Sequence, residues 1–143
     1  MIQREVALRL TAAPGTADYG AFTVYLTWHC EAERLFDVLL IAPCTGATLA
    51  RLATGLTDTA VTMAAKSHLR NGRPVVVAFS TNDALSGSAE NIAALLNRKN
   101  YYFVPFGQDD PEGKPTSLQA DFARMGEAAE AALEGRQLQP VLR

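Results

Sequence analysis

The sequence predicts an α/β domain with an open parallel β-sheet covered by helices on both faces. Apolar runs of strand length recur at 38–42, 75–79 and 101–104. These runs lack polar alternation, which is typical of strands that are buried on both faces. The segments between them carry apolar residues at helical spacing, as Leu49, Leu52, Ala53 and Leu56 do. The order strand, helix, strand, helix, strand, helix therefore predicts an open three-layer domain.

The predicted elements follow the chain from the first apolar run. Pro43 cannot donate a backbone hydrogen bond, so we expect it to end the first strand. Thr57 and Asp58 offer side-chain oxygens that could cap a second helix. The prediction is a strand at 38–42, helices at 49–56 and 61–70, a strand at 75–79, a helix at 88–98, a strand at 101–104, a loop at 115–118 and a last helix at 118–133.

The chain divides into an atypical segment, 1–36, and the α/β domain, 37–143. A chain of 143 residues has the length of one typical domain, which is roughly 100–150 residues. Residues 11–20 are rich in Ala, Gly, Pro and Thr and predict a loop, whereas 21–27 predict a strand. About ten residues separate that strand from Val38, which is too few for a parallel crossover, so we expect an edge or antiparallel position.

Composition excludes several classes of protein. The net charge of −2 and a pI near 5.6 argue against a nucleic-acid binder. No apolar stretch approaches the roughly 18 residues that span a membrane, and charged residues interrupt the first ten positions. We therefore expect a cytoplasmic protein. Cys30 and Cys44 are too few for a disulfide framework or a zinc cage, and no metal site is predicted.

The segments that follow the three strands form the candidate site, because ligands bind at the carboxyl edge of a parallel sheet. They are 43–48, 80–83 and 106–110. At 43–48 a strand runs through a Thr-Gly turn into a helix, whose free N–H groups and dipole suit an anion. A plain capping turn is an equally weighted alternative.

The other candidates are weighed in the same way. Ser80, Thr81, Asn82 and Asp83 suit hydrogen bonding to a polar small molecule, or merely cap the next helix. Cys44 at a helix N-terminus could be a thiolate nucleophile, but no His partner lies nearby in sequence. His68 falls on an apolar helix face and is better explained as a packed histidine. The catalytic residues therefore remain unassigned.

A family resemblance adds to this interpretation. Residues 42–50 (APCTGATLA) resemble the A-P-x-[ST]-x-N-T-x-[AG] segment of the flavoprotein fold, which flavin-dependent cysteine decarboxylases and flavin prenyltransferases share. Residues 80–83 (STND) and 106–111 (FGQDDP) are similar to blocks of the dipicolinate synthase B-subunit family. This closer resemblance covers about residues 35–142.

The resemblance implies a flavoprotein-like, Rossmann-like fold and a role in making dipicolinate from a dihydrodipicolinate-type precursor during sporulation. It implies an oxidoreductase subunit that works with an A subunit in the cytoplasm of the mother cell. FMN is the implied cofactor, and NADP could enter through the partner. The implied cofactor-binding residues are Pro43, Cys44, Thr45, Gly46 and Thr48. The implied substrate-binding residues are Ser80, Thr81, Asn82 and Asp83.

Two departures from the family pattern keep alternatives open. Ala47 stands where the family usually has Asn, and residues 1–36 show no strand followed by a Gly/Ser-rich flavin-phosphate loop. We therefore expect a domain that is incomplete at its N-terminus, with an uncovered sheet edge that favours a homo-oligomer. A flavin-dependent decarboxylase or prenyltransferase, and a non-catalytic remnant that binds a partner, remain the alternatives.

Overall fold

The computed structural model describes residues 5–11 and 23–29 as backbone strands and residues 37–143 in full. The strands are β1 (Glu5–Thr11), β2 (Thr23–His29), β3 (Leu39–Cys44), β4 (Val75–Thr81), β5 (Tyr101–Phe103), β6 (Phe106–Gly107) and β7 (Leu118–Ala120). The helices are α1 (Gly46–Thr54), α2 (Ala60–Arg70), α3 (Ala89–Leu96) and α4 (Met125–Leu133), and a 3-10 turn (Phe122–Arg124) precedes α4.

The centre of the sheet is parallel, as predicted. β3 pairs with β4 in parallel from Leu39 opposite Val75, and β5 continues the parallel sheet from Tyr101 opposite Val75. β2 pairs antiparallel with β3, which confirms the antiparallel placement expected for 21–27, and β1 lies antiparallel beside β2. The loop predicted for 11–20 lies outside the described residues, except that Thr11 ends β1.

Both faces of the parallel strands are buried. One set of alternating side chains packs under α1, α2 and α3, and it includes Ile41, Val77 and Phe103. The opposite set, which includes Leu40 and Val76, packs against the alanine-rich face of α4. Each fully buried Val, Leu, Ile or Phe side chain contributes about 1.5–3 kcal/mol to stability, which explains the unbroken apolar runs. The three-layer arrangement is therefore confirmed.

The prediction of a continuous helix over 118–133 is wrong. Leu118 and Ala120 are buried and Gln119 between them is exposed, which is the alternation of a strand. This strand, β7, pairs antiparallel with the end of β4 and with β6. The Asp121 carboxylate then accepts a hydrogen bond from the Ala123 N–H and begins the 3-10 turn, so that α4 starts only at Met125.

Several element boundaries also differ from the prediction, and β4 runs to Thr81 rather than ending at residue 79, so Ser80 and Thr81 are strand residues. β3 does not end at Pro43 but continues to Cys44. Its register with β4 shifts between Ile41 and Cys44, and Cys44 then pairs with Phe79. α2 is capped by Thr59 rather than by Thr57 and Asp58. The side chain of Thr59 accepts a hydrogen bond from the Thr62 N–H, and the Thr62 hydroxyl accepts one from the Thr59 N–H.

Candidate functional site

The 43–48 turn ends in an N-cap that exposes hydroxyl groups. Thr45 caps α1, because its Oγ1 accepts a hydrogen bond from the Thr48 N–H at 3.3 Å. The same hydroxyl donates to Thr48 Oγ1 at 3.2 Å. Thr45 is exposed and Thr48 is half-buried. The capping interpretation of this turn is therefore correct, and the two hydroxyls remain accessible to a ligand as well.

The 80–83 turn is organised by the carboxylate of Asp83. Thr81 Oγ1 donates to Asp83 Oδ1 at 2.6 Å, and Ser88 Oγ donates to the same oxygen at 2.9 Å. The hydrogen bonds from Thr81 and then from Ser88 lower the pKa of Asp83 below its ordinary value, since they stabilise the charged form. Asp83 is therefore a fixed, ionised carboxylate at neutral pH.

Gly46 brings the two turns into contact. A Cβ atom at this position would lie 2.9 Å from Thr81 Oγ1, 3.2 Å from Ser88 Oγ and 3.4 Å from Asp83 Oδ1. The first distance is shorter than a carbon–oxygen contact allows, so a residue with a side chain would force the Thr81 hydroxyl to move. The predicted convergence of 43–48 and 80–83 is thus a direct contact, and it depends on a glycine at the first position of α1.

Two residues that the sequence analysis missed hold the 80–83 turn from its other side. The Thr116 hydroxyl donates to the Asn82 carbonyl oxygen at 2.6 Å. The buried Ser117 hydroxyl lies 3.4 Å from Asn82 Oδ1. The signal in the sequence is that Thr116 and Ser117 are polar and stand directly before β7. This region was predicted to be a loop, 115–118, followed by a helix from 118.

The third segment, 106–110, joins the site through β7 rather than directly. Gln119 pairs with Ser80 on one side and with Gly107 on the other. A hydrogen bond from Ser117 is the largest cause of the lowered pKa of Asp109. This segment borders a cleft of about 600 Å³ that also contains Gln119, Asp121, Phe122 and Arg143, with an ion pair of 2.7 Å between Arg143 and Asp121.

The remaining candidates lie away from this surface. The Cys44 thiol is fully buried, and burial raises its pKa far above the ordinary value, which argues against a thiolate nucleophile. Cys44 can therefore offer a ligand only its backbone. His68 is buried as expected, and its Nδ1 has no hydrogen-bond partner among the described residues. Cys30 lies outside the described residues. Within residues 37–143, no cluster of His, Cys, Asp and Glu is arranged to hold a metal ion.

Comparison with known proteins supports this architecture. A family model described as Flavoprotein matches residues 20–128. The B subunit of dipicolinate synthase from Bacillus subtilis is 48% identical over 106 residues, which are 74% of this chain and 53% of the relative. A crystal structure of the dipicolinate synthase B subunit from Bacillus halodurans superposes with a TM-score of 0.75 and 52% identity, over 76% of this chain and 55% of that one. The chain thus spans about half the length of these two relatives.

A shorter similarity of a different kind is also present. Ribosomal RNA small subunit methyltransferase A of Legionella pneumophila (strain Lens) is 55% identical over 38 residues, which are 27% of this chain and 15% of the relative. In the part of the chain that the structure describes, no helix is long and apolar enough to cross a membrane.

The match to the family model extends over most of the chain and agrees with the predicted fold and with the resemblance of residues 42–50. We conclude that the chain belongs to the flavoprotein family, whose description implies a flavin cofactor.

Proposed function

We propose that this chain serves as the B subunit of a dipicolinate synthase and helps to convert a dihydrodipicolinate-type precursor to dipicolinate during sporulation. The observation that carries the proposal is the 48% identity over 106 residues to the Bacillus subtilis protein of that name. The conversion removes two hydrogens from a ring, so the chain would be part of an oxidoreductase. Its partner would be the A subunit, in the cytoplasm of the mother cell.

The 43–48 turn is the proposed flavin contact, with FMN as the flavin. Pro43, Cys44, Thr45, Gly46 and Thr48 would hold it through backbone groups and through the hydroxyls of the exposed Thr45 and the half-buried Thr48. Because the Asp83 carboxylate already lies beside the first residue of α1, a phosphate here would meet a like charge. These residues therefore fit a neutral hydrogen-bonding part of the cofactor. A bound flavin would supply a two-electron acceptor, and NADP carried by the partner is the alternative acceptor.

The 80–83 turn is the proposed substrate contact. The Ser80 hydroxyl and the Asn82 amide are exposed at the carboxyl end of β4 and can donate hydrogen bonds to the carboxylates of a pyridine-dicarboxylate-type molecule. Thr81 and Asp83 are bonded to each other and would position the turn rather than contact the substrate. Asp83 would also repel a substrate carboxylate that approached from the α1 side, which would restrict its orientation.

A non-catalytic, partner-binding role is the second candidate. Ala47 favours it, because this exposed position in the first turn of α1 lacks the amide that the family pattern places there. A flavin-dependent decarboxylase or prenyltransferase is a weaker alternative for the same reason. We also expect the chain to form a homo-oligomer, since β1 is an edge of the described sheet.

Co-expression with an A subunit tests the proposal. The soluble complex would be supplied with the dihydrodipicolinate-type precursor, and dipicolinate would be followed by its ultraviolet absorbance. Product that requires both subunits would support the proposal. A soluble complex without product would favour the partner-binding role, and failure of the two subunits to associate would contradict both.

A further inference from the structure

A second cleft lies at the opposite edge of the parallel strands from the 43–48 and 80–83 turns. It has a volume of about 370 Å³ and is bounded by the end of α1, the length of α2 and the start of β5. Tyr101 opens β5, and Arg70 ends α2 shortly before β4 begins. The cleft is therefore near the amino ends of the strands, and the proposed dipicolinate chemistry does not use it.

The floor and the rim of this cleft differ in character. Leu52, Leu69 and Tyr101 supply apolar surface, and Leu56 is 52% exposed at its margin. The charged side chains that line it are all cationic: Arg51, Lys66, Arg70 and Arg98. None of the lining residues that the structure describes is acidic. An apolar floor beneath several cations suits a molecule with an apolar body and a negative group.

The charge on the rim is only partly compensated. Arg51 forms an ion pair of 3.1 Å with Asp58, whereas no ion pair links Lys66, Arg70 or Arg98 to a carboxylate in residues 37–143. Lys66 and Arg70 are four residues apart on α2, so they lie on one helix face, where like charges repel. A bound anion would relieve this repulsion.

Arg98 is held in place before any ligand arrives. Its guanidinium donates to the Leu52 carbonyl oxygen at 2.9 Å and also to the Ala53 carbonyl oxygen, at the last turn of α1. These bonds give the Ala53 carbonyl oxygen a partner and add a second donor to the Leu52 carbonyl oxygen, which also accepts from the Gly55 N–H of the C-cap. They also fix one cation at the wall of the cleft, which lowers the ordering cost of binding an anion.

We propose that this cleft binds a small carboxylate with a flat or branched apolar body, such as an aromatic monocarboxylate. The volume is in the range of small-molecule sites, which is about 300–1,000 Å³. Lys66 and Arg70 would bind the carboxylate, and Leu52, Leu56, Leu69 and Tyr101 would contact the apolar body.

Calorimetric titration of the full chain with 2-naphthoate tests this proposal. The neutral analogue naphthalene-2-carboxamide should bind at least about tenfold more weakly, since it loses the charge-assisted hydrogen bonds. Lys66→Gln and Arg70→Gln should each weaken 2-naphthoate binding by about tenfold. Arg136→Gln removes one charge from an exposed ion pair outside the cleft and should leave the affinity unchanged. Circular dichroism of each variant checks that it is folded.

Any one of four results would overturn the proposal. The first is equal binding of the carboxylate and its amide, and the second is no saturable binding of either by folded protein. The third is that 2-naphthoate shifts the methyl NMR signals of residues around the 80–83 turn but leaves those of Leu56 and Leu69 unchanged. Inorganic phosphate should compete only weakly, because it cannot use the apolar floor. If inorganic phosphate displaced 2-naphthoate when the two are present at equal concentrations, the cleft would be a simple anion site, and this would also overturn the proposal.

Discussion

Gly46 and Thr81 approach each other so closely that a Cβ atom on the glycine would lie 2.9 Å from the threonine hydroxyl oxygen. Thr81 is the last residue of β4, and Gly46 is the first residue of the helix that follows the neighbouring parallel strand β3. The contact therefore joins the proposed flavin contact to the proposed substrate contact. The same Thr81 hydroxyl holds Asp83, so a change at Gly46 should reach the whole 80–83 turn.

Gly46→Ala should destabilise the protein, although alanine is ordinarily favoured in a helix. The new methyl group would break or lengthen the Thr81–Asp83 hydrogen bond, and we expect a net loss of about 1–2 kcal/mol in the free energy of unfolding. Gly126→Ala in α4 is the matched control, since a Cβ there meets nothing within 4 Å. It should stabilise by about 0.5–1 kcal/mol. Urea unfolding of both variants distinguishes them, and equal stabilisation would contradict the contact.

Thr81→Val should raise the pKa of Asp83 toward its ordinary value of 3.8. The hydroxyl of Thr81 is the largest cause of the lowered pKa, and valine has a similar shape but cannot donate. NMR titration of the Asp83 carboxyl measures the change, and an unchanged pKa would contradict the role of this hydroxyl. Thr54→Val is the control, because that hydroxyl bonds only to carbonyl groups within α1.

The lowered pKa of Asp83 also predicts an effect of pH on the turn. Protonation of the carboxylate weakens the bonds from Thr81 and Ser88, so the turn should keep its structure from neutral pH down to pH 3.8 and lose it only as the pH falls through the lower, folded-state pKa. The amide chemical shifts of residues 81–88, measured as the pH is lowered, would report this loss of structure. A transition above pH 3.8 would contradict the lowered pKa.

Gln137→Ala should destabilise the outer edge of β5. The Gln137 side chain accepts a hydrogen bond from the Phe103 N–H at 2.8 Å and donates one to the Phe103 carbonyl oxygen at 2.7 Å, as a neighbouring strand would. Each buried backbone group left without a partner costs about 1–3 kcal/mol. Gln139→Ala removes only an exposed local bond to Val141 and should cost much less. Thermal unfolding of the two variants compares them, and equal losses would contradict the role of Gln137.

His68 should make stability decrease at mildly acidic pH. Burial, and then the Arg73 charge, lower its pKa below 6.5, so the unfolded chain binds the proton at a higher pH than the folded one. Stability from this residue is therefore present at neutral pH and is lost as the pH falls from about 6.5 toward the folded-state pKa. Urea unfolding between about pH 7 and pH 5 should show a smaller decrease for His68→Gln than for the unchanged protein. Identical pH dependence would contradict this account.

The central strands were predictable from sequence because their apolar runs have only one stable environment, between two helical layers. The runs at 38–42 and 75–79 indicated β3 and β4 directly. The segment 118–120 was misassigned because Leu118 and Ala120 are compatible with both a helix and a strand. Only the pairing of Gln119 with Ser80 and Gly107 decides between them, and such pairing between distant residues leaves no local pattern.

The candidate site was predictable as two turns at one sheet edge, but its internal contacts were not. The parallel order of β3 and β4 requires 43–48 and 80–83 to be neighbours. The approach of Gly46 to Asp83 and the support from Thr116 and Ser117 depend on side-chain geometry, which sequence spacing does not determine. Burial of the Cys44 thiol was not predictable either, because the register shift between Ile41 and Cys44 interrupts the alternation of β3 and places Cys44 on the same face as Leu39 and Ile41.

Dipicolinate formation by the chain together with an A subunit is the most direct test of the proposed function and site. We expect product from the unchanged complex. The double variant Ser80→Ala/Asn82→Ala should reduce kcat/KM by at least about tenfold, because two hydrogen bonds to a charged substrate are lost. Gln139→Ala, which is remote from the site, should retain full activity. Absence of product from a soluble complex, or full activity of the double variant, would contradict the account.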